Sequence, residues 1–161
     1  MAPSLADVVA DLDYPMTVVT CTDGRQRSGC LVGFASQCSI DPPRLMVWIS
    51  RTNHSYPLAL RAEHLGVHWL SAVERELAEL FGSTTGDDVD KFSYCRWRPG
   101  PGGVPIVEQC SRWFVGRVLD RTATGDHTGF LLEPVGVSEA GPWPGQLGYQ
   151  AVRDLVAGHE P

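Results

Sequence analysis

Apolar positions recur along this chain in two rhythms, one close to alternation and one close to a helical repeat. MTVVTCT (16–22) is dense in β-branched residues, breaks at Asp23-Gly24, and resumes near Ser28 as SGCLVGF, the pattern of a strand, a hairpin turn and a second strand. Arg44–Ser50 and HLGVHWLS (64–71) read as two further strands. SRWFVGRVLDRTA (111–123) and HTGFLLEPVGVS (127–138) read as two long ones, with Thr124-Gly125-Asp126 at the turn between them.

Helical spacing is confined to short pieces. Ser4 can cap an amphipathic helix carrying Val8, Val9 and Leu12, which ends before Tyr14-Pro15 and whose apolar face needs a partner. His54–Ala62 reads as a second helix. Val73, Leu77, Leu80 and Phe81 define a third over 72–82, stopped by Gly82. A polar loop follows over 83–88, the proline- and glycine-rich stretch 94–105 reads as a surface loop, and 146–157 as a last weak helix. About six strands in antiparallel meander order, interrupted by helices, predict a mainly β chain folded as a closed or split β-barrel, one domain over 1–161.

Composition narrows the choice of partner. Thirteen Lys plus Arg against nineteen Asp plus Glu give a net charge of -6 without a basic stripe, which argues against nucleic acid. No run approaches roughly 20 uninterrupted apolar residues, and the first residues lack the cationic then apolar order of a secretory signal, so the expected setting is cytoplasmic, with no membrane contact. Five cysteines without a C-x-x-C pair read as reduced thiols packed as small apolar groups.

Three constellations have chemical potential, each with a plainer explanation beside it. The run Ser36-Gln37-Cys38-Ser39 before Asp41-Pro42-Pro43 is either a solvated bend or a strand edge offering backbone N–H groups and small hydroxyls to a planar ligand. SRTNHSYP (50–57) is either ordinary helix capping by Asn53 or Ser55 with Pro57 in the first turn, or a phosphate site to which Arg51 and His54 add charge. His127, beside a Gly-Asp turn, is either a rim residue or a donor near a reactive ring. His54, His64 and His68 lie close in sequence, but no carboxylate or cysteine at a customary spacing completes a tetrahedral metal set, and no metal is expected. No G-x-S-x-G elbow marks a hydrolase, and no G-x-G-x-x-G marks a Rossmann nucleotide site.

In order along the chain, YPMTVVTCTDG, GCLVGFASQCSIDPPRLMVWIS, SRTNHSYPLAL, LGVHWLS, DKFSYCRWRPGPGGVPIVEQC and GDHTGFLLEPVGV resemble the flavin reductase family with the FMN-binding split-barrel fold, from about Tyr14 to Ser138. The resemblance implies a Greek-key-like antiparallel barrel that binds FMN or FAD and reduces it with NAD(P)H. It implies a homodimer, and a partner monooxygenase supplied with reduced flavin. It assigns contacts with the isoalloxazine ring to Gly33, Phe34, Ala35, Ser36 and Gln37, and phosphate or ribityl contacts to Ser50, Arg51, Asn53, His54 and Ser55. Lys91 and Phe92 resemble a pair near the flavin, and His127 resembles a histidine close to the nicotinamide. Where many members have an Asn-Ser or Ser-Ser pair and then a phenylalanine, this chain has Gly33-Phe34 and then Ala35, so that ring hydrogen bonds would come from backbone groups. A flavin-binding barrel without reductase activity, serving storage or sensing, is the competing expectation.

Overall fold

A computed structural model describes residues 1–83 and 89–155. Its main feature is one seven-stranded antiparallel sheet in the order β2-β1-β5-β8-β9-β4-β3, curled into an open barrel. The strands are β1 (Thr17–Thr22), β2 (Arg27–Val32), β3 (Ala35–Ser39), β4 (Arg44–Ser50), β5 (His64–Trp69), β8 (Arg112–Ala123) and β9 (His127–Val137). A small second sheet pairs β6 (Trp97–Pro99) with β7 (Pro105–Val107). In the large sheet three strand pairs are hairpins, but β5 inserts between β1 and β8, and β4 returns to lie beside β9. The order is therefore more Greek-key-like than the simple meander that hairpin signals predict, because those signals report only neighbours in sequence.

Strand β1 shows why the apolar rhythm is so dense there. Val19 and Cys21 point into the barrel interior with Val47, Leu65 and Phe130. Val18 and the preceding Met16 point outward, under a second apolar layer built by Leu77, Ala78 and Phe81 of α3 (Arg75–Gly82) and by Leu147 and Val152 of the C-terminal segment. A strand covered on both faces has no polar face to alternate with. The short helix α2 (Tyr56–Arg61) buries Leu58 and Ala59 in the barrel interior. Register shifts at Val115/Gly116 and Val118/Asp120 in the long β8–β9 hairpin, and at Gln37/Ser39 in β3–β4, add the local bending by which a sheet curls.

Several expectations need correction. Of the two readings of Ser36–Ser39, the strand edge is the one observed rather than the bend: the run is the body of edge strand β3, its polar side chains tolerated because three of them are exposed. The cis Asp41–Pro42 bond lies in the turn that follows. The stretch 94–105 contains β6 and the start of β7, whose three-residue strands are too short to show a period. Ser4 caps α1 (Leu5–Val9) through a capping box with Asp7, but the helix ends at Val9, and its apolar face is exposed. Helix α3 starts at Arg75 and leaves Val73 outside it, 78% exposed. A short 3₁₀ turn, Tyr149–Ala151, replaces the helix expected over 146–157, of which 156–157 lie outside the described residues. The expected loop 83–88 lies outside them too, apart from Ser83.

Candidate functional site

Strand β2 is one free edge of the sheet and β3, backed by β4, is the other. The chain crosses from edge to edge in two residues, Gly33 and Phe34, and the Phe34 carbonyl accepts a hydrogen bond from the Trp48 amide at 2.9 Å. Farther along β2, the Ser28 hydroxyl meets that of Ser55 at 2.6 Å, beyond the gap. Ser28 to Gly33 spans about 17 Å at a strand's rise per residue. Cavities open at both ends of that span.

The end at Phe34 is aromatic. Two adjoining cavities, of about 210 and 530 Å³, share Tyr14, Gly33, Phe34, Trp48 and His127, and the smaller one adds Ser50, Asn53 and Tyr149. Tyr14 stacks on Tyr149 at 4.8 Å, and Phe34 lies between Tyr14 at 6.0 Å and the His127 ring at 5.1 Å. Strand register assembles this wall. Ser50 pairs with His127 and Trp48 with Gly129, so alternation puts these side chains on one face while Val47 and Ile49 enter the core. A side chain at Gly129 would come within 2.8 Å of the Trp48 indole nitrogen, and one at Gly33 within 2.5 Å of the Tyr14 ring. Both glycines let an aromatic group lie directly on backbone.

The junction after β4 is held by its own polar groups. The Asn53 side-chain oxygen accepts from the Ser55 amide at 2.8 Å, the Asn53 amide donates to the Ser50 carbonyl, and the Arg51 amide donates to the Asp126 carbonyl at 2.9 Å. Ser55 occupies the N-cap position of α2 but makes no side-chain cap bond, its hydroxyl being engaged with Ser28. The Arg51–Asp126 link brings the turn before β9 to this junction, and there the Asp126 carboxylate holds His127 Nδ1 at 2.7 Å.

The end at Ser28 carries an excess of cations. Arg25, Arg27 and Arg61 line a cavity of about 470 Å³ with His54, Ser28 and Asp90, Arg61 being paired with Asp23 at 3.2 Å, and Arg27 and Lys91 line a smaller one of about 180 Å³ with Ser28, His54 and Asp90. Lys91 is buried, with its ammonium donating to the carbonyls of Phe81 at 3.0 Å and Gly29 at 3.3 Å. Burial lowers its pKa, since neither carbonyl carries a full charge to offset the desolvation. Arg27 lies over the Trp97 ring at 4.4 Å and 3.7 Å from Asp90.

Of the residues expected to bind a ligand, Gly33, Phe34, Ala35, Ser50, Asn53 and His127 therefore meet at the aromatic end. His54, Lys91 and Phe92 border the cationic end, Phe92 mostly as core between Phe81 and Trp97, and Ser55 supports that end through Ser28. Arg51 is exposed, its guanidinium 3.5 Å from the Gly125 carbonyl and outside the linings of these cavities. Ser36 and Gln37 line a different cavity, at the barrel mouth, which meets the aromatic end at Ala35. Tyr14, Trp48, Tyr149, Arg27 and Ser28 were missed. Only Trp48 had a signal, as the same-face neighbour of Ser50 on a strand.

A planar aromatic end, hydroxyl and amide groups in the middle and a cationic end suit a molecule with a ring system and a phosphorylated tail. Among the described residues no three His, Cys, Asp or Glu side chains converge as a metal site, and no helix is long and apolar enough to cross a membrane. All five cysteines are free thiols.

Residues 9–153 match the family profile described as a flavin reductase like domain. The stachydrine N-demethylase reductase subunit Stc3 of Rhizobium meliloti (strain 1021) is 31% identical over 116 residues, covering 70% of this chain. The chain spans about half of that relative's length, 48%. FMN reductase (NADH) RutF of Bradyrhizobium diazoefficiens is 29% identical over 135 residues, 84% of this chain and 74% of that one. Among solved structures, the NADH:FAD oxidoreductase SgcE6 of Streptomyces globisporus C-1027 superimposes with a TM-score of 0.79 at 23% identity, over 89% of this chain and 84% of that one. An FMN-binding protein from Thermus thermophilus, with bound 1-cyclohex-2-enone, gives 0.78 at 24% identity, over 86% and 78%. The curled sheet with its gap at β2 and β3 is the split barrel those structures share.

Proposed function

The chain belongs to the flavin reductase family, and on that premise we propose that it binds FMN or FAD along the gap between β2 and the β3–β4 edge and reduces it with NAD(P)H. The observation that carries this reading is the polarity of the gap, aromatic at Phe34 and cationic at Ser28. The flavin, when bound, supplies a ring able to accept a hydride from a nicotinamide, chemistry that no side chain here provides.

The protein's part is to hold and orient. Tyr14, Phe34 and Trp48 flank a flat ring and keep water from it, with backbone groups of 33–35 meeting its polar rim. Ser50 and Asn53 take the ribityl hydroxyls, and Ser28, His54 and Lys91 the phosphate, with Arg27 and Arg61 within reach of a second phosphate if the ligand is FAD. His127, its ring oriented by Asp126, meets the nicotinamide carboxamide. His127→Ala is therefore expected to lower turnover roughly tenfold or more, in the range of a lost orienting or acid–base group, while the flavin dissociation constant moves less than about twofold. Equal loss of both would remove this division of roles.

The setting that goes with this reading is a cytoplasmic homodimer of single split-barrel domains that hands reduced flavin to a monooxygenase. Phe34, half exposed beside His127 where a nicotinamide would approach, favours a second reading in which flavin is held without being reduced. Anaerobic titration with FMN and with FAD, followed by NADH and NADPH, separates the two. Binding with bleaching of the flavin absorbance supports the reductase, binding without bleaching supports the carrier, and no binding removes both.

A further inference from the structure

A cavity of about 610 Å³ opens at the mouth of the barrel where β4 and β8 begin and β5 and β9 end, meeting the aromatic end of the gap at Ala35. Its wall includes Trp69, Trp113, Phe114 and Trp143, and its charged lining residues are two arginines, Arg44 and Arg112, with no carboxylate among them. Glu133 stands 3.8 Å behind Arg44 and partly balances it. Arg112 lies under the Trp143 ring at 4.6 Å, with one terminal nitrogen donating to the Gly141 carbonyl at 3.0 Å.

Two buried side-chain nitrogens among the described residues have no hydrogen-bond partner, Arg112 Nε and Trp143 Nε1, and both belong to this one wall. Both are donors only, so what they lack is an acceptor. Buried donors are matched in nearly all folded proteins, and a pair left open beside one cavity marks a place for an acceptor from outside the chain. Trp143 sits on an irregular strap, 138–146, fastened at its ends by Ser138 to Trp113 and by the Gly145 carbonyl to the Ala72 amide. Both nitrogens are buried, with the Trp143 ring of the strap lying over the Arg112 guanidinium, so an acceptor from the cavity would reach them only by displacing the strap.

We propose that the barrel mouth is a second binding site, for an aromatic carboxylate. The ring would lie among the tryptophans, and the carboxylate would take the Arg112 Nε–H and Trp143 Nε1–H bonds. A guanidinium edge matches a carboxylate in geometry and charge, and the cavity has the volume and apolar lining of small-molecule sites. The site is independent of flavin chemistry, although Ala35 of β3 borders both it and the aromatic end of the gap.

The test is calorimetric titration of the protein with 2-naphthoate and its neutral analogue 2-naphthamide, with and without saturating FMN. Naphthoate is expected to bind in both states and about tenfold tighter than the amide, as for a charge-assisted pair of bonds. Trp143→Phe, which keeps the ring and removes the donor, is expected to weaken naphthoate several-fold, and Arg112→Met to abolish the preference for the acid. If Arg112→Met fails to fold, Arg112→Lys keeps the charge, removes the fork, and is expected to weaken the acid selectively. No binding, equal affinity for acid and amide, or displacement of naphthoate by FMN would each overturn the proposal. Flavin binding measured alone reports separately on the function proposed above.

Discussion

Two regions of this barrel bury polar side chains, and they treat them differently. Beneath β1 and β5, each buried polar group is tied to backbone. His68 is held by the Val18 carbonyl at 2.9 Å and accepts from the Val107 amide at 3.1 Å, Thr20 donates to the Pro105 carbonyl, and Thr17 to the Val32 carbonyl. Along the gap, hydroxyls pair mainly with one another: Ser28 with Ser55, Ser50 with Thr52, and Tyr56 with Thr128. A side chain matched to a backbone group has one partner and closes the structure. A hydroxyl matched to another hydroxyl can donate or accept, and can exchange its partner for a ligand oxygen at little cost. The first region therefore ties β1 to β2 and fastens the small β6–β7 sheet to the barrel, and the second is a surface prepared for exchange.

The largest effect that separates them is expected from His68→Leu. It leaves the Val107 amide unmatched and takes a donor from the Val18 carbonyl in a fully buried site, a loss of about 2–5 kcal/mol, and lowers the melting temperature by roughly 10 °C. The flavin affinity of the folded protein should change less than about twofold. A large loss of affinity at unchanged stability would erase the distinction between fastening and site.

Acid is a milder way to release the same fastening. Burial lowers the His68 pKa from 6.5 to about 4, against a smaller opposing contribution from its bond to the Val18 carbonyl. Between those values the unfolded chain binds a proton that the native protein does not, so stability is full above about pH 6.5 and falls as the pH drops towards 4. The loss reaches about 2 kcal/mol near pH 5 and about 3 kcal/mol when the interval has been crossed. Urea unfolding of the wild type and of His68→Gln at pH 7 and pH 5 measures it. A wild type that loses no more than the glutamine variant would show that His68 does not carry the acid sensitivity.

The gap is tested in the opposite sense by Ser28→Ala. Here the stability cost is expected to be about 1 kcal/mol or less, since Ser55 can relax towards its neighbours, while FMN or FAD binds roughly five- to tenfold more weakly. A variant that lost stability and kept full affinity would move Ser28 into the class of His68.

Much of the barrel was legible because it is written in local signals. The β1–β2 turn at Asp23-Gly24, the long β8–β9 hairpin and the capping of α1 by Ser4 each need only a few neighbouring residues. Strand β3 was legible only as one of two readings, because Ser36, Gln37 and Cys38 are polar or small and exposed, so no apolar period separates a strand edge from a bend. The insertion of β5 between β1 and β8 depends on contacts roughly 50 residues apart, which periodicity does not report. At the site, Ser50, Asn53 and His127 could be singled out from residue types beside strand ends. Tyr14 and Tyr149 could not, because each is an aromatic in an irregular segment and they meet only when the two ends of the fold come together. His68 was visible as a histidine on a strand, but its two backbone partners belong to β1 and to the end of β7, and without them nothing marks it as a fastening.

The smallest effect is expected from Tyr56→Phe, and it sharpens the comparison most. Tyr56 and Thr128 form a hydroxyl pair at 2.7 Å, as Ser28 and Ser55 do, but neither lines the cavities at the two ends of the gap, whereas Ser28 lines both at the cationic end. If a hydroxyl pair matters to a ligand only where it borders the ligand's space, removing the tyrosine hydroxyl costs about 0.5–1 kcal/mol of stability, and flavin affinity stays within about twofold of the wild type. Thermal unfolding and fluorescence titration with FMN, run on the same preparation, read the two quantities. Should Tyr56→Phe weaken flavin as much as Ser28→Ala does, the gap acts as one coupled network from α2 to β9, and the reach of a substitution there is set by that network rather than by the cavity it faces.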